Sequence, residues 1–270
     1  MTEISGVKKS GRVWWFDLVI TMLGCCVLLF IIAPLVSMIL ATKPGELAET
    51  AGDSEVVDSI KLTLKAAFFA TVVSGVAGIP LAFFFARKKF FGKSILSAIV
   101  DLPIIIPHSA AGLALFAVIG RDTVVGRVFG SLIGTTAGIS VAMAFISVPF
   151  LVNAARHAFE GVDVKLEKAA RTLGATPCRV FFTISVPLAW RGILSGMVLM
   201  WARGISEFGA VVIIAYHPRT TPVMVYQRFI DYGLSSARSV AVLLILICVG
   251  LFIGLRLLSG RLGSGDSANA

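Results

Sequence analysis

From Leu18 to Thr42 the chain carries no charged side chain, and the same holds from Ala66 to Ala86. A helix needs about 20 mostly apolar residues to cross roughly 30 Å of hydrocarbon. In lipid a segment of that kind satisfies its backbone polar groups only by coiling as a helix. Four further apolar runs follow. The run from about Ser94 to Gly120 is broken only by Asp101 and His108, and the run from about Val128 to Ala155 opens rich enough in glycine for a re-entrant turn or loop. The run from about Gly192 to Tyr216 holds Arg203 and Glu207, and the last extends from about Ser239 to Leu257. The pattern predicts an all-α integral membrane protein with six transmembrane helices. Composition agrees: 57% of the residues are hydrophobic and 14% charged, where soluble chains carry about 25% charged residues. A cytosolic enzyme, a disordered tail and a disulfide-stapled secreted module are excluded. The first run is far longer than the apolar stretch of a cleaved signal peptide and no small-residue cleavage site follows it, so it is read as retained.

Lysine and arginine set the orientation. An even number of spans puts both termini on one side, with Lys8, Lys9, Arg12, the cluster from Arg87 to Lys93, the basic residues between Arg156 and Arg191, and Arg256 and Arg261. That side collects fifteen basic residues against eight on the other, so both termini are predicted cytoplasmic. The formal charge of +9 lies between apolar runs rather than on one soluble face, which argues against a nucleic-acid partner. Cys25, Cys26, Cys178 and Cys248 show no C-x-x-C spacing and read as packed small hydrophobes, with no metal site. Glycines recur four apart at Gly126, Gly130, Gly134 and Gly138, and in the pairs Gly192/Gly196 and Gly250/Gly254, a spacing that lets membrane helices pack closely within the chain.

The most informative polar segment runs from about Arg156 to Ser185. Val162, Leu166, Ala169, Ala170 and Leu173 recur at helical spacing, and Gly174 is placed as a C-cap. Thr176-Pro177 reads as an N-cap and first helical position, opening a second short helix through Phe182. Two short helices joined at a near-right-angle bend make a docking knob; an amphipathic helix lying at the membrane surface is the alternative.

This segment resembles the coupling motif of ABC importer permeases. Glu167-Lys168-Ala169-Ala170-Arg171-Thr172-Leu173-Gly174 is followed after nine residues by Ile184-Ser185-Val186-Pro187. Lys168 stands between the acid and the alanine pair, and Val186 replaces the usual leucine. Asp101 to His108, Trp201 to Ala210 and Ala215-Tyr216-His217-Pro218 resemble molybdate and tungstate importer permeases, the last being a feature of the archaeal branch. The resemblance spans about residues 55 to 258. It implies a type I (MetI-like) importer-permease core, divided into a cytoplasmic segment 1–13, a transmembrane permease domain 14–258 with its coupling loop at 156–185, and a cytoplasmic tail 259–270. It further implies a multi-pass cell-membrane protein that is not an enzyme and works as a homodimer with two ATP-binding-cassette ATPase subunits and an external oxyanion-binding protein. Glu167, Ala169, Ala170, Gly174 and Pro187 are then the ATPase-coupling residues, with Glu167 pairing to a basic group on the ATPase, Ala170 keeping the contact face small and Gly174 allowing the bend.

The residues fit that division of labour. Gly92-Lys93-Ser94 lacks the P-loop glycine five positions earlier, where Arg87 stands, so ATP and Mg belong to a partner and this chain needs no cofactor. No ligand set for tight oxyanion binding is evident, as suits a passage whose sites must release what they bind. His108, Arg203 and Glu207 are the pathway or gate candidates. Arg203 and Glu207 lie i, i+4 and can neutralise each other, and His108 can instead satisfy a backbone carbonyl. Asp101 is expected near the cytoplasmic interface. The first external loop sets Glu46, Glu49, Asp53, Glu55 and Asp58 against Lys43 and Lys61, either as a solvated charge run or to meet a basic rim on a delivering protein. Sulfate or thiosulfate import by a sibling permease is the nearest alternative. An ion-coupled secondary transporter with Asp101, His108 and Glu207 as a proton relay, or an intramembrane enzyme, would be of a different class.

Overall fold

The computed structural model of the chain describes residues 11–263. Lys8 and Lys9, which weigh in the orientation, and the tail residues 264–270 lie outside the described residues. In chain order the helices are α1 (Gly11–Leu40), α2 (Pro44–Gly52), α3 (Ser54–Arg87), α4 (Lys93–Ile105), α5 (His108–Ile119), α6 (Val124–Phe129) and α7 (Thr136–Glu160). There follow α8 (Val164–Thr172), α9 (Pro177–Val180), a π-helical turn over Phe181–Ser185, α10 (Val186–Ile205), α11 (Gly209–Ile214), α12 (Thr221–Tyr232) and α13 (Leu234–Gly263).

Among the described residues five helical stretches are long and apolar enough to cross a bilayer, in α1, α3, α7, Pro177–Ile205 and α13. The third apolar run departs from the straight span that the sequence suggests. It is split into α4 and α5, bent by 111°. Pro107 is the cause. It lacks an N–H and forces the residue before it out of the helical region, and Ile106 is extended at φ −72° and ψ 145°.

The fifth span is also displaced from its expected bounds of Gly192 to Tyr216. It begins at Pro177 and stops at Ile205, and residues 209–214 break off as α11. The second short helix of the knob is therefore the first turn of this span and not a free element. Pro187 explains the π-helical turn between them: with no N–H to give and a ring that crowds the preceding turn, it loosens the α-helical ladder just before it.

Helices α3, α7 and α10 form the central layer, and the small residues on their faces allow close approach. Ala66, Ala67 and Ala70 of α3 pack with Ala142, Met143 and Ile146 of α7 and Ile205 of α10. A methyl group at Gly192 would collide with Ala158 Cβ, and one at Gly196 would stand 2.9 Å from Ala154 Cβ. This pair is thus an α7–α10 packing seam, as its spacing suggests. Gly250 and Gly254 face open space, so no internal contact explains them. The ladder from Gly126 to Gly138 is no helix face either: Gly130 and Gly134 have φ of +79° and +72° and turn the chain between α6 and α7.

At the end of the molecule opposite the knob, the acidic loop meets the chain's own arginines. Asp53 caps α3 and pairs with Arg228, Glu55 lies 3.7 Å from Arg219, and Glu46 lies 3.8 Å from Arg238. The hydrogen bond from Arg228 holds the Asp53 carboxyl below the usual carboxylate range. The loop is accordingly less acidic to an arriving partner than its composition suggests.

The seam has a direct consequence. Gly192→Val is expected to lower the detergent-solubilised protein's stability by about 1–3 kcal/mol through overpacking, while Gly250→Val leaves the thermal midpoint unchanged. Equal midpoints for the two variants would contradict the packing described.

Candidate functional site

Among the described residues two clusters are built on a buried carboxylate. The first holds the knob. Asp163 caps α8 by accepting from the Lys165 N–H at 2.9 Å. The helix closes in a Schellman motif, with the Ala175 N–H donating to the Ala170 carbonyl and the Gly174 N–H to the Arg171 carbonyl, each at 3.0 Å. Gly174 stands at φ +87°, a conformation costly for a residue with a Cβ. Its role as helix cap is thereby seen directly. Thr176 accepts from the Arg179 N–H at the start of α9, as its position before Pro177 suggests.

Glu167 points inward, which corrects the expectation of a basic partner on another protein. Arg87 Nε donates to both carboxylate oxygens at 2.9 and 3.0 Å, and Nη2 donates to Oε1 at 2.7 Å. Ser185 Oγ donates to Oε1 at 2.9 Å, and Arg87 Nη2 also donates to the Val162 carbonyl at 3.1 Å. One buried carboxylate thus joins the end of α3, the α7–α8 link, α8 and the π-helical turn. Aromatic packing lies beneath: the Phe83 ring stands 5.2 Å from Phe159 and 4.9 Å from Phe181, centroid to centroid. The other side of the knob is open. Of the apolar stripe only Val162 is buried, while Leu166 is half-exposed, Leu173 is 90% exposed, Ala169 is exposed and Ala170 half-buried. Pro187 is exposed at the start of α10.

The second cluster joins the three pathway candidates. Glu207, fully buried between α10 and α11, receives the Ala210 N–H on Oε1 at 3.0 Å. Its Oε2 lies 3.0 Å from Arg203 Nη2 and 3.1 Å from His108 Nδ1. His108 therefore does not bond a backbone carbonyl as a lone histidine would; it joins the Arg203–Glu207 pair across the α4–α5 bend. Gly209 makes room for this, since a methyl there would stand 2.8 Å from His108 Cβ. Asp101 stands apart, within α4, where Asn153 Nδ2 donates to its Oδ1 at 2.6 Å. It is not within this cluster, so a relay through Asp101, His108 and Glu207 has no support here. Sequence reasoning missed Arg87, because nothing marks a residue eighty positions from Glu167 except that it is a basic residue closing an apolar span.

Spanning helices around a charge-compensated polar interior, with an exposed knob anchored at one end, define a membrane transport permease. The family model described as binding-protein-dependent transport system inner membrane component matches residues 78–263. The chain belongs to that family and is a multi-pass membrane protein with the MetI-like importer-permease core. It is 40% identical over 243 residues to the molybdate/tungstate transport system permease protein of Pyrococcus abyssi, covering 88% of this chain and 94% of that one. It is 30% identical over 247 residues to the sulfate transport system permease protein of Salmonella typhimurium, covering 88% and 89%. Its fold is similar to a chain of a bacterial ABC transporter involved in the import of alginate, with a TM-score of 0.71 at 16% identity over 93% of this chain and 96% of that one. It is also similar to a chain of the inward-facing MetNI methionine ABC transporter, with a TM-score of 0.60 at 20% identity over 77% and 94%.

Breaking one side of a buried ion pair strands the other charge, at a cost of about 3–5 kcal/mol. Arg87→Gln and Glu167→Gln are each expected to destabilise the protein strongly, and the double variant by less than the sum, in a thermodynamic cycle read from denaturation in detergent. Additive losses would show that the two side chains are not coupled.

Proposed function

We propose that this chain is the permease subunit of an ATP-driven importer of molybdate or tungstate, lining the passage and changing access from one side of the membrane to the other. The observation that carries the proposal is the knob: α8 is locked to the spans by Glu167 and presents Leu166, Ala169 and Leu173 outward. A helix fixed beneath, whose outer face mixes these apolar side chains with the exposed Lys165, Lys168 and Arg171, suits the transfer of force from a second protein. Two ATP-binding-cassette subunits would seat on it, supplying ATP and Mg, and this chain would then require no cofactor. Glu167, Ala169, Ala170, Gly174 and Pro187 act in coupling, Glu167 and Gly174 by shaping the knob and the alanines by keeping its outer face low. The knob end is cytoplasmic, with both termini on that side, a reading supported by fifteen basic residues against eight.

A homodimer is supported by Arg203 and His108. Both are partly exposed at membrane depth, where charge needs a water-filled cavity or a partner, and a second copy would supply the facing wall. An external binding protein delivers the oxyanion at the end where Asp53 and Arg228 pair. Molybdate or tungstate is preferred to sulfate because identity to the permease named for the former is 40%, against 30% for the latter.

The test is uptake of labelled molybdate into proteoliposomes holding the permease, its ATPase and its binding protein. Uptake is expected only with MgATP; uptake by the permease alone under a pH gradient would contradict the proposal. Gly174→Val forces a β-branched residue into a left-handed conformation, a strain of about 1–2 kcal/mol. It is expected to abolish uptake while the permease remains monodisperse on size exclusion, and normal uptake in that variant would remove Gly174 from coupling.

A further inference from the structure

The two arginine–glutamate pairs of this chain are built differently. At the knob the guanidinium of Arg87 grips both oxygens of Glu167 through aligned hydrogen bonds. At Arg203 the contact is a single approach: Nη2 stands 3.0 Å from Glu207 Oε2, yet that buried oxygen accepts no aligned hydrogen bond among the described residues. The pair is held by charge and proximity rather than by a fork. Nη2 of Arg203 is also 3.1 and 3.0 Å from the two ring nitrogens of His108. A point equally distant from both nitrogens at this range lies over the ring and not at its edge. Nη1 donates to the exposed Ser206 Oγ at 3.3 Å.

The exposure is layered. Glu207 is completely buried, the Arg203 side chain is 22% exposed and the His108 side chain 36%. A solute entering from the open side meets the guanidinium, the imidazole and the Ser206 hydroxyl before it meets the carboxylate. A planar guanidinium matches two oxygens of a tetrahedral oxyanion, in the geometry that favours bidentate recognition. Within the cluster Nη2 is held by Glu207 and His108 and Nη1 by Ser206, while Nε has no hydrogen-bond partner among the described residues, so the guanidinium keeps donors for an arriving anion.

The geometry points to Arg203, with His108 and beside Ser206, whose hydroxyl donates to the Arg203 carbonyl, as a transient site for a tetrahedral dianion inside the passage, and to Glu207 as a resident carboxylate that competes with the dianion for Arg203. This rests on the reading of the chain as an oxyanion permease and adds the place where the anion pauses and the reason its stay is short. Arg203 supplies the attraction. Glu207 neutralises it, so that the site stays charge-balanced when empty and surrenders the anion readily, since passage requires entry without tight retention.

The experiment measures equilibrium binding of molybdate to the purified full-length permease in lipid nanodiscs, beside uptake by the complete wild-type complex. Glu207→Gln keeps the acceptor for the Ala210 N–H but removes the competing charge, and is expected to bind molybdate about tenfold more tightly than wild type, the scale of a charge-assisted hydrogen bond. Arg203→Gln is expected to bind none. In the complete complex both variants transport more slowly, Glu207→Gln through slow release and Arg203→Gln through failed capture. A purely structural role for the cluster predicts no gain of binding in any variant.

If Glu207→Gln does not fold, Ser206→Cys in a background with the four native cysteines replaced by serine serves instead. Molybdate is expected to protect that cysteine from an anionic thiosulfonate reagent. Wild-type uptake without a gain of binding in Glu207→Gln, or without protection of Ser206→Cys, overturns the site alone. A wild-type complex that takes up no oxyanion overturns the functional reading beneath it.

Discussion

The Glu167 carboxylate sets the form of the end of the molecule that a partner would meet. Its oxygens accept four hydrogen bonds among the described residues, three from the Arg87 guanidinium and one from Ser185. With Arg87 also bonded to the Val162 carbonyl, one ion pair fastens the end of α3 to three segments of the knob some eighty residues further on. A guanidinium paired through two nitrogens and almost withdrawn from solvent makes a stiff joint. The knob can therefore present apolar side chains outward without collapsing onto the spans.

Stiffness at the knob gives meaning to looseness elsewhere. The interior pair of Arg203 and Glu207 lies where the α4–α5 bend and the α10–α11 break meet, so its geometry depends on the two least regular spans of the chain. Helices α3 and α7 run unbroken, with small residues at their contacts, beside segments that are interrupted. One arginine–glutamate pair fastens the knob and the other, on the reading proposed above, faces the passage; the number of aligned hydrogen bonds separates them.

Much of this was legible in the residues. The charge-free runs locate the spans because hydrocarbon tolerates little else. Gly174 and Thr176-Pro177 mark the knob, because left-handed caps and first-turn prolines have few other uses. What escaped was long-range. Arg87 reads only as a topogenic charge, because no spacing rule links it to Glu167. His108 reads as a solitary histidine, because its partners approach only through the bend at Pro107 and the absence of a Cβ at Gly209. Pro107 is plain in the sequence, but the hydropathy of the third run is that of a straight span and masks the break. The start of the fifth span escapes for a related reason: Arg179, Thr183, Ser185 and Arg191, with two prolines, interrupt an otherwise apolar stretch and hide a helix that begins at Pro177.

The central claim is that the knob moves as one body with α3. Spin labels at Lys89→Cys, two residues past the end of α3, and Lys168→Cys within α8, both exposed positions, report the separation of the α3 terminus and α8 by pulsed dipolar spectroscopy in the complete complex. One narrow distance, the same without nucleotide and with ATP trapped, is the predicted result. A separation that shifts by several ångströms between the two states, or a broad distribution in both, would contradict the account.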